Sequence, residues 1–233
     1  MKSSLTKLKW FDIAILTFIL FSHAIYSSFM YYLTPTEEEN ATALTSFSAQ
    51  DNLNALLLQS VLLSVALLYL KWRHFQFSSW HLKPSLKGIG TGVLFFIIAA
   101  LCMDLYFILL DSVVDFAYTE EGLNTESLQT FAWLNLPLIP YAMLNGFYEE
   151  IFFLGICLSV NQKYLPIAFI YSLIIRFSFH TYQGMETAIG IGFVLGSVFF
   201  LLYQKSKQKA LFPFFIAHAI ADVFGAGLLS YFY

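Results

Sequence analysis

Apolar residues occur along this chain in runs that are much longer than the apolar stripe of a soluble helix. A helix of about 17–25 apolar residues crosses the hydrocarbon core of a bilayer. Runs of this kind recur along the whole chain, so the pattern predicts an all-α bundle of transmembrane helices. Seven spans are expected, at residues 10–32, 53–70, 88–110, 131–160, 165–180, 188–203 and 211–231.

The fourth apolar stretch is longer than one span requires. It contains Pro137, Pro140 and the pair Asn145-Gly146, which favour a kink or a short interfacial piece ahead of the span. An eighth helical element is therefore a second interpretation. No soluble domain, internal repeat or low-complexity tract is found, so residues 1–233 are predicted to form a single integral-membrane domain.

Composition excludes a soluble globular protein. The 233 residues are 58% hydrophobic and only 12% charged. All but one of the 12 Lys and Arg residues lie before the first span or after the second, fourth and sixth. The connections on the opposite side contain Asp and Glu but no Lys or Arg. The positive-inside rule then predicts a cytoplasmic N-terminus and an external C-terminus. Membrane lipid is the expected partner, and nothing indicates a nucleic acid.

Five ionisable side chains inside the apolar spans carry most of the chemical information. A charge near the centre of a bilayer costs about 2.5–3.5 kcal/mol on insertion scales, so such residues persist where they pair or perform chemistry. Each has a plain structural interpretation when taken alone, but their occurrence together in one small chain favours an active site. They are Glu149, Glu150, His180, His218 and Asp222.

Helical geometry assigns these residues to different surfaces. Glu149 and Glu150 are adjacent, so on a helix they point about 100° apart and need different partners. One can serve a reaction while the other holds the scaffold. His218 and Asp222 are four residues apart and share one helix face, where the carboxylate can fix the histidine tautomer or join it as a metal ligand.

Two chemistries suit this set of side chains. In the first, Glu149 and His180 activate a water molecule, while His218 and Asp222 stabilise the oxyanion that forms on a peptide carbonyl. In the second, a divalent metal such as zinc is bound by His180, His218 and Glu149, and its water attacks. Both lead to hydrolysis of a peptide bond.

The motifs resemble those of the CPBP family, the CAAX proteases and bacteriocin-processing proteins also called Abi intramembrane proteases. That family carries EExxxR, FxxxH and HxxxN or HxxxD, and this chain offers Glu149-Glu150, His180, and His218 with Asp222 in the same order. The resemblance covers roughly residues 131–233. It implies a helical bundle in which Glu149 and His180 activate water and His218 and Asp222 assist the oxyanion.

Two positions depart from the family motifs. Leu154 stands where the first motif has arginine, and Arg176 stands where the second motif has an aromatic residue. A cation missing from one helix has thus appeared on another. Because an unpaired charge is costly in a low-dielectric site, we expect Arg176 to replace the lost arginine by pairing with Glu150. The alternative is that Arg176 reaches toward water by itself.

The sequence thus favours an intramembrane endopeptidase that cleaves a membrane-associated peptide or a lipid-anchored protein, with its site open to the cytoplasm or to lipid. One alternative is a bacteriocin self-immunity or peptide-binding protein that does not cut. Another is a small-solute transporter with a proton relay. The predicted spans place His180 roughly 10 Å further from the cytoplasm than His218, so tilted or broken helices are needed to bring the two together.

Overall fold

The computed structural model describes residues 5–34, 48–117, 136–206 and 209–232. Within these ranges the chain is helical, and its only β-type pairing is an isolated bridge between Leu5 and Phe75. The predicted all-α fold is confirmed. The α-helices are α1 (Trp10–Leu33), α2 (Ala49–Trp72), α3 (Leu86–Ala117), α4 (Leu138–Glu150), α5 (Leu165–Ser178), α6 (Met185–Ile189), α7 (Gly196–Lys205) and α8 (Phe212–Phe224).

Shorter helical segments complete the described chain. A π-helical segment continues α4, and a second one joins α6 to α7 into a single rod; these are Ile151–Ile156 and Gly190–Leu195. Single 3₁₀ turns lie between the longer helices at Phe77–Trp80, Gln162–Tyr164 and Thr181–Gln183, and another follows α8 at Leu229–Tyr231.

Four described helices are long and apolar enough to cross a membrane: Trp10–Leu33, Ala49–Trp72, Leu86–Ser112 and Met185–Lys205. They confirm the first, second, third and sixth predicted spans. The fourth prediction starts in a part of the chain that lies outside the described residues, and so does any extra element before residue 136. Within the described part, the helix begins directly after Pro137, and its irregularity falls at the π-helical segment instead of at a proline kink.

Two of the predicted spans are shorter as helices than the apolar runs suggested. The fifth ends at Ser178, before His180, and the seventh ends at Phe224 instead of continuing to residue 231. A helix of 13 residues rises only about 20 Å, which is less than the thickness of a bilayer core. The prediction of one continuous helix over 211–231 is therefore wrong.

Local chemistry explains why α8 stops. Gly225 follows the helix with φ of +85°, a left-handed conformation that glycine adopts without steric cost. The chain then turns toward α3, where the Asp104 carboxylate accepts hydrogen bonds from the backbone N–H groups of Leu228 and Leu229, with its Oδ2 at 2.9 and 3.2 Å. A backbone that leaves a helix inside an apolar bundle needs such partners.

Glycines set the close approaches between helices. The Cβ of an alanine at Gly92 would lie 2.7 Å from the Pro213 carbonyl oxygen of α8, and one at Gly192 would lie 2.7 Å from the Phe177 Cα of α5. These distances are shorter than van der Waals contact, so backbone meets backbone at both crossings. Both glycines therefore act as packing residues.

An aromatic layer supports the end of α4 from the α1 side. The Phe21 ring packs against Tyr148, Phe152, Phe153 and Phe179, with ring centroids 4.7–5.5 Å apart. The Tyr148 hydroxyl also donates a hydrogen bond to the Leu20 carbonyl of α1. This contact fixes the rotation of α4 at the residue that precedes the acidic pair.

The end of the bundle that carries the basic connections is closed. Trp80, in the connection between α2 and α3, donates its indole N–H to the Gly155 carbonyl at 3.2 Å and accepts from the Leu211 N–H. Asp12 of α1 is fully buried and accepts from Arg73 at 2.6 Å and from Tyr69 at 2.7 Å. Both sets of contacts join elements that are distant in sequence, so this end is held as one unit.

The packing role of Gly92 can be tested against Gly90, which lies on the same helix. Gly92→Ala forces its new methyl group against the backbone of α8, and overpacking of this kind costs about 1–3 kcal/mol. Gly90→Ala meets nothing within 4 Å, so alanine's higher helix propensity leaves it as stable as the wild type or more so. Thermal unfolding in detergent should show a lower Tm for Gly92→Ala only; equal Tm values would contradict the close approach.

Candidate active site

The acidic pair lies at the C-terminal end of α4, inside the bundle. Both side chains are buried, yet they have different partners, as their 100° separation predicts. Glu150 Oε1 makes two short contacts, 2.8 Å to Arg176 Nη2 and 2.7 Å to His218 Nδ1. Glu149 Oε2 lies further from the same two side chains, 3.8 Å from Arg176 Nη1 and 3.7 Å from His218 Nε2.

Arg176 of α5 pairs with Glu150 of α4, as the departures from the family motifs suggested. Its guanidinium is 2% exposed, and Glu150 is not exposed at all. The Phe153 ring covers one side of the guanidinium, with the Arg176 Cζ 4.0 Å from the ring centroid. Leu154, at the family's arginine position, is buried and apolar. The ion pair predicted from the sequence is thus present, with its cation supplied by a different helix.

His218 of α8 connects both acids to Asp222. Glu150 accepts through its carboxylate, so the His218 Nδ1 is the donor in their 2.7 Å hydrogen bond. That bond directs Nε2 toward two further carboxylates, Glu149 Oε2 at 3.7 Å and Asp222 Oδ1 at 3.6 Å. The ring is therefore oriented by one acid and faces two others across a gap.

His180 lies at the edge of this cluster. It follows the end of α5, and its Nδ1 donates to the Arg176 carbonyl at 2.7 Å, which leaves Nε2 as the acceptor of a neutral ring. It is near enough to Arg176 and His218 to interact electrostatically with both. Among the described residues, His180 makes no direct hydrogen bond or ion pair with Glu149 or His218.

Two amide side chains, those of Asn145 and Gln59, also belong to the cluster. Neither was predicted from the sequence as a site residue. Asn145 Nδ2 donates to Glu149 Oε1 at 3.2 Å and to Asp222 Oδ2 at 2.9 Å. Gln59 of α2 donates to Asn145 Oδ1 at 2.6 Å. A signal for Asn145 was present, because it stands one helical turn before Glu149 in an apolar stretch. Gln59 had no such signal, because nothing local connects α2 to α4.

The ligand set predicted for zinc does not fit a metal ion. Across the described ranges, no group of three or more His, Cys, Asp and Glu side chains is arranged to hold one. His180 directs its Nδ1 to a backbone carbonyl, and the Arg176 guanidinium, a permanent cation, lies beside Glu149. In this geometry His180, His218 and Glu149 are not arranged around one ion.

Exposure is uneven across the cluster. The Asp222 side chain is 21% exposed, whereas those of His218 and Glu149 are 9% and 6% exposed. Toward the basic connections, fully buried residues such as Phe152 and the Trp80 closure lie between the cluster and the surface. Exposure in the cluster therefore increases toward Asp222, away from the basic connections.

These features define an integral membrane protein with an acid, histidine and arginine centre inside a helical bundle. The family model for type II CAAX prenyl endopeptidase Rce1-like proteins matches residues 131–224, a range that contains all the motif residues. This match confirms the resemblance to the CAAX protease family that the motifs indicated, over residues 131–224. No curated protein and no solved structure matches the chain.

The relocated ion pair leads to a reciprocal test. Arg176→Leu removes the partner of a fully buried carboxylate, so we expect a loss of about 3–5 kcal/mol in the free energy of unfolding. Adding Leu154→Arg returns a guanidinium one helical turn from Glu150 and should restore much of the lost stability. Thermal unfolding in detergent measures both effects. An Arg176→Leu protein with unchanged Tm and activity would contradict the pairing role.

Proposed function

We propose that this protein is an intramembrane endopeptidase that hydrolyses a membrane-associated peptide or a lipid-anchored protein. The observation that supports this proposal is the environment of Glu149 Oε2. It is a buried acceptor with no hydrogen bond inside the protein, and it faces both Arg176 Nη1 and His218 Nε2 at 3.7–3.8 Å. A water molecule that donates to this oxygen has polar partners on two sides.

Glu149 then acts as the general base. The water oxygen attacks the peptide carbonyl as one of its protons moves to Glu149 Oε2, and the carbonyl π electrons move onto oxygen. When this tetrahedral intermediate collapses, the C–N bond breaks and Glu149 gives its proton to the departing nitrogen. The free His180 Nε2 accepts from the same water and orients it, in the role expected from the resemblance.

His218 stabilises the oxyanion. Its Nε2 is directed to the gap beside Glu149 by the bond from Nδ1 to Glu150, so in the protonated ring Nε2–H donates to the developing negative charge. Asp222 accepts from Asn145 and lies 3.6 Å from His218 Nε2, which favours an orienting role for this carboxylate. Glu150 and Arg176 support the site as a buried ion pair.

An apolar groove beside this cluster suits a lipid-modified substrate. It has a volume of about 210 Å³ between α4 and α8 and is lined in part by Met143, Phe147, Ile216 and Ala219. Phe147 lies two residues before Glu149 on α4, and Ala219 directly follows His218 on α8. Its apolar lining matches the chemistry of a hydrocarbon chain attached to a peptide.

The decisive variant is Glu149→Gln, which keeps the shape of the side chain and removes the base. Purified protein in liposomes is given fluorogenic peptides that end in a CAAX sequence, with and without a farnesyl group on the cysteine, and the products are identified by mass spectrometry. We expect cleavage to fall by at least about 10²-fold. Glu186→Gln is the matched control, because that exposed glutamate lies outside the cluster.

Other outcomes separate the alternatives. Binding of these peptides by wild-type protein without any cleavage would favour a peptide-binding or immunity protein. Undiminished cleavage by Glu149→Gln would exclude Glu149 as the base.

Asp222 allows a second test of the assigned roles. In Asp222→Asn the new amide oxygen still accepts from Asn145, but the NH₂ group that then faces His218 cannot accept from its Nε2–H. One of the two interactions is lost, so we expect kcat to fall by about tenfold, the equivalent of one hydrogen bond. Asp222→Leu removes both interactions and should cost more. Steady-state kinetics on the cleaved peptide compares the two variants. Equal losses would contradict an orienting role.

A further inference from the structure

A chain of amide hydrogen bonds runs from α2 into the candidate active site. Gln59 Nε2 donates to Asn145 Oδ1 at 2.6 Å. Asn145 Nδ2 then donates one hydrogen toward Glu149 Oε1 at 3.2 Å and the other toward Asp222 Oδ2 at 2.9 Å. One amide thus holds two carboxylates that belong to different helices, α4 and α8.

The chemistry of the acids determines the direction of this chain. An ionised carboxylate only accepts, so Asn145 must present its NH₂ group to Glu149 and Asp222. Its carbonyl oxygen then faces Gln59, which must in turn present its own NH₂ group. The remaining Gln59 Oε1 is buried and has no hydrogen-bond partner among the described residues. The orientation of both amides therefore follows from the carboxylates.

The hydrogen bond from Asn145 keeps Glu149 away from Arg176. Glu149 Oε2 and Arg176 Nη1 are both buried, both lack a hydrogen-bond partner among the described residues, and lie 3.8 Å apart. Opposite charges at this distance attract strongly where water is scarce. A small rotation of Glu149 would close the gap to a direct ion pair, and a carboxylate held by a guanidinium is a poor base. Asn145 opposes that rotation through the other oxygen, Oε1.

We propose that Gln59 and Asn145 are positioning residues that hold Glu149 open as the base and align Asp222 with it. This inference rests on the proposed function of the same site. It extends the site to α2, which lies outside the part of the chain that matches the CAAX protease family. Neither residue touches the reacting atoms in this scheme; each acts through Glu149 and Asp222.

Kinetics provides the first test. A displacement of a catalytic group by about 1 Å can cost about 10²-fold in rate, so Asn145→Leu and Gln59→Leu should each lower kcat toward that extent and leave KM unchanged. If Gln59 acts through Asn145, the double variant should be no slower than Asn145→Leu alone. Gln50→Leu is the matched control, because Gln50 lies on the same helix and, among the described residues, its side chain bonds to Asn54 on the exposed surface.

A second measurement does not depend on substrate. The apolar reagent dicyclohexylcarbodiimide reacts with protonated carboxyl groups, and mass spectrometry locates the modified residue. A carboxyl group that a guanidinium binds is protonated for a smaller fraction of the time than one held apart from it. When Asn145→Leu allows Glu149 to close on Arg176, the protonated fraction of Glu149 decreases, so its labelling should fall several-fold relative to the wild type and to Gln50→Leu. Gln59→Leu should lower labelling in the same direction, and this variant replaces a half-buried residue, so it is expected to fold.

The outcomes distinguish this inference from the proposed function. If wild-type protein cleaves peptide in a manner that depends on Glu149, but both leucine variants keep the wild-type kcat and the wild-type labelling of Glu149, the positioning role is wrong. Additive losses in the double variant would also overturn it, since they would mean that Gln59 acts independently of Asn145. If the wild type does not cleave, the proposed function fails, and the labelling experiment still decides whether the amides position Glu149.

Discussion

The site depends on one buried ion pair, between Glu150 of α4 and Arg176 of α5. Neither charge has access to water, so each is tolerable only because the other is 2.8 Å away. The same Glu150 oxygen also accepts from His218 of α8. A single carboxylate thus joins three helices at the level of the proposed chemistry. Separation of any one of them would leave a charge unpaired in an apolar interior.

This ion pair explains how two adjacent glutamates can have different roles. Glu150 is bound through Oε1 by both Arg176 and His218, which fixes this carboxylate in the ion pair. Glu149 is turned about 100° away on the helix, so the same two partners lie about 1 Å further from it. An acid that is close to cations but not bound by them can exchange a proton. The difference arises from helix geometry, since the two side chains are chemically identical.

Broken helices bring the site together at the interior of the bundle. The helix α5 ends before His180, and α8 ends two residues after Asp222, so both residues lie beside helix termini. Non-helical backbone at this depth is stable only where protein groups satisfy it. The Asp104 carboxylate serves this purpose for the segment after α8, and the Arg176 carbonyl is occupied by His180. Short helices therefore cost little here, and they place polar groups away from lipid.

The sequence by itself determined the membrane class, most of the spans, the motif residues and the pairing of Arg176 with Glu150. Transfer free energy and helical periodicity are local properties, and a buried acid needs a cation wherever it lies in the chain. The tertiary structure alone decided which atoms meet: it recruited Gln59, and it kept His180 out of a direct hydrogen bond or ion pair with Glu149. Those outcomes depend on distances between helices that are remote in sequence, and no local pattern encodes them.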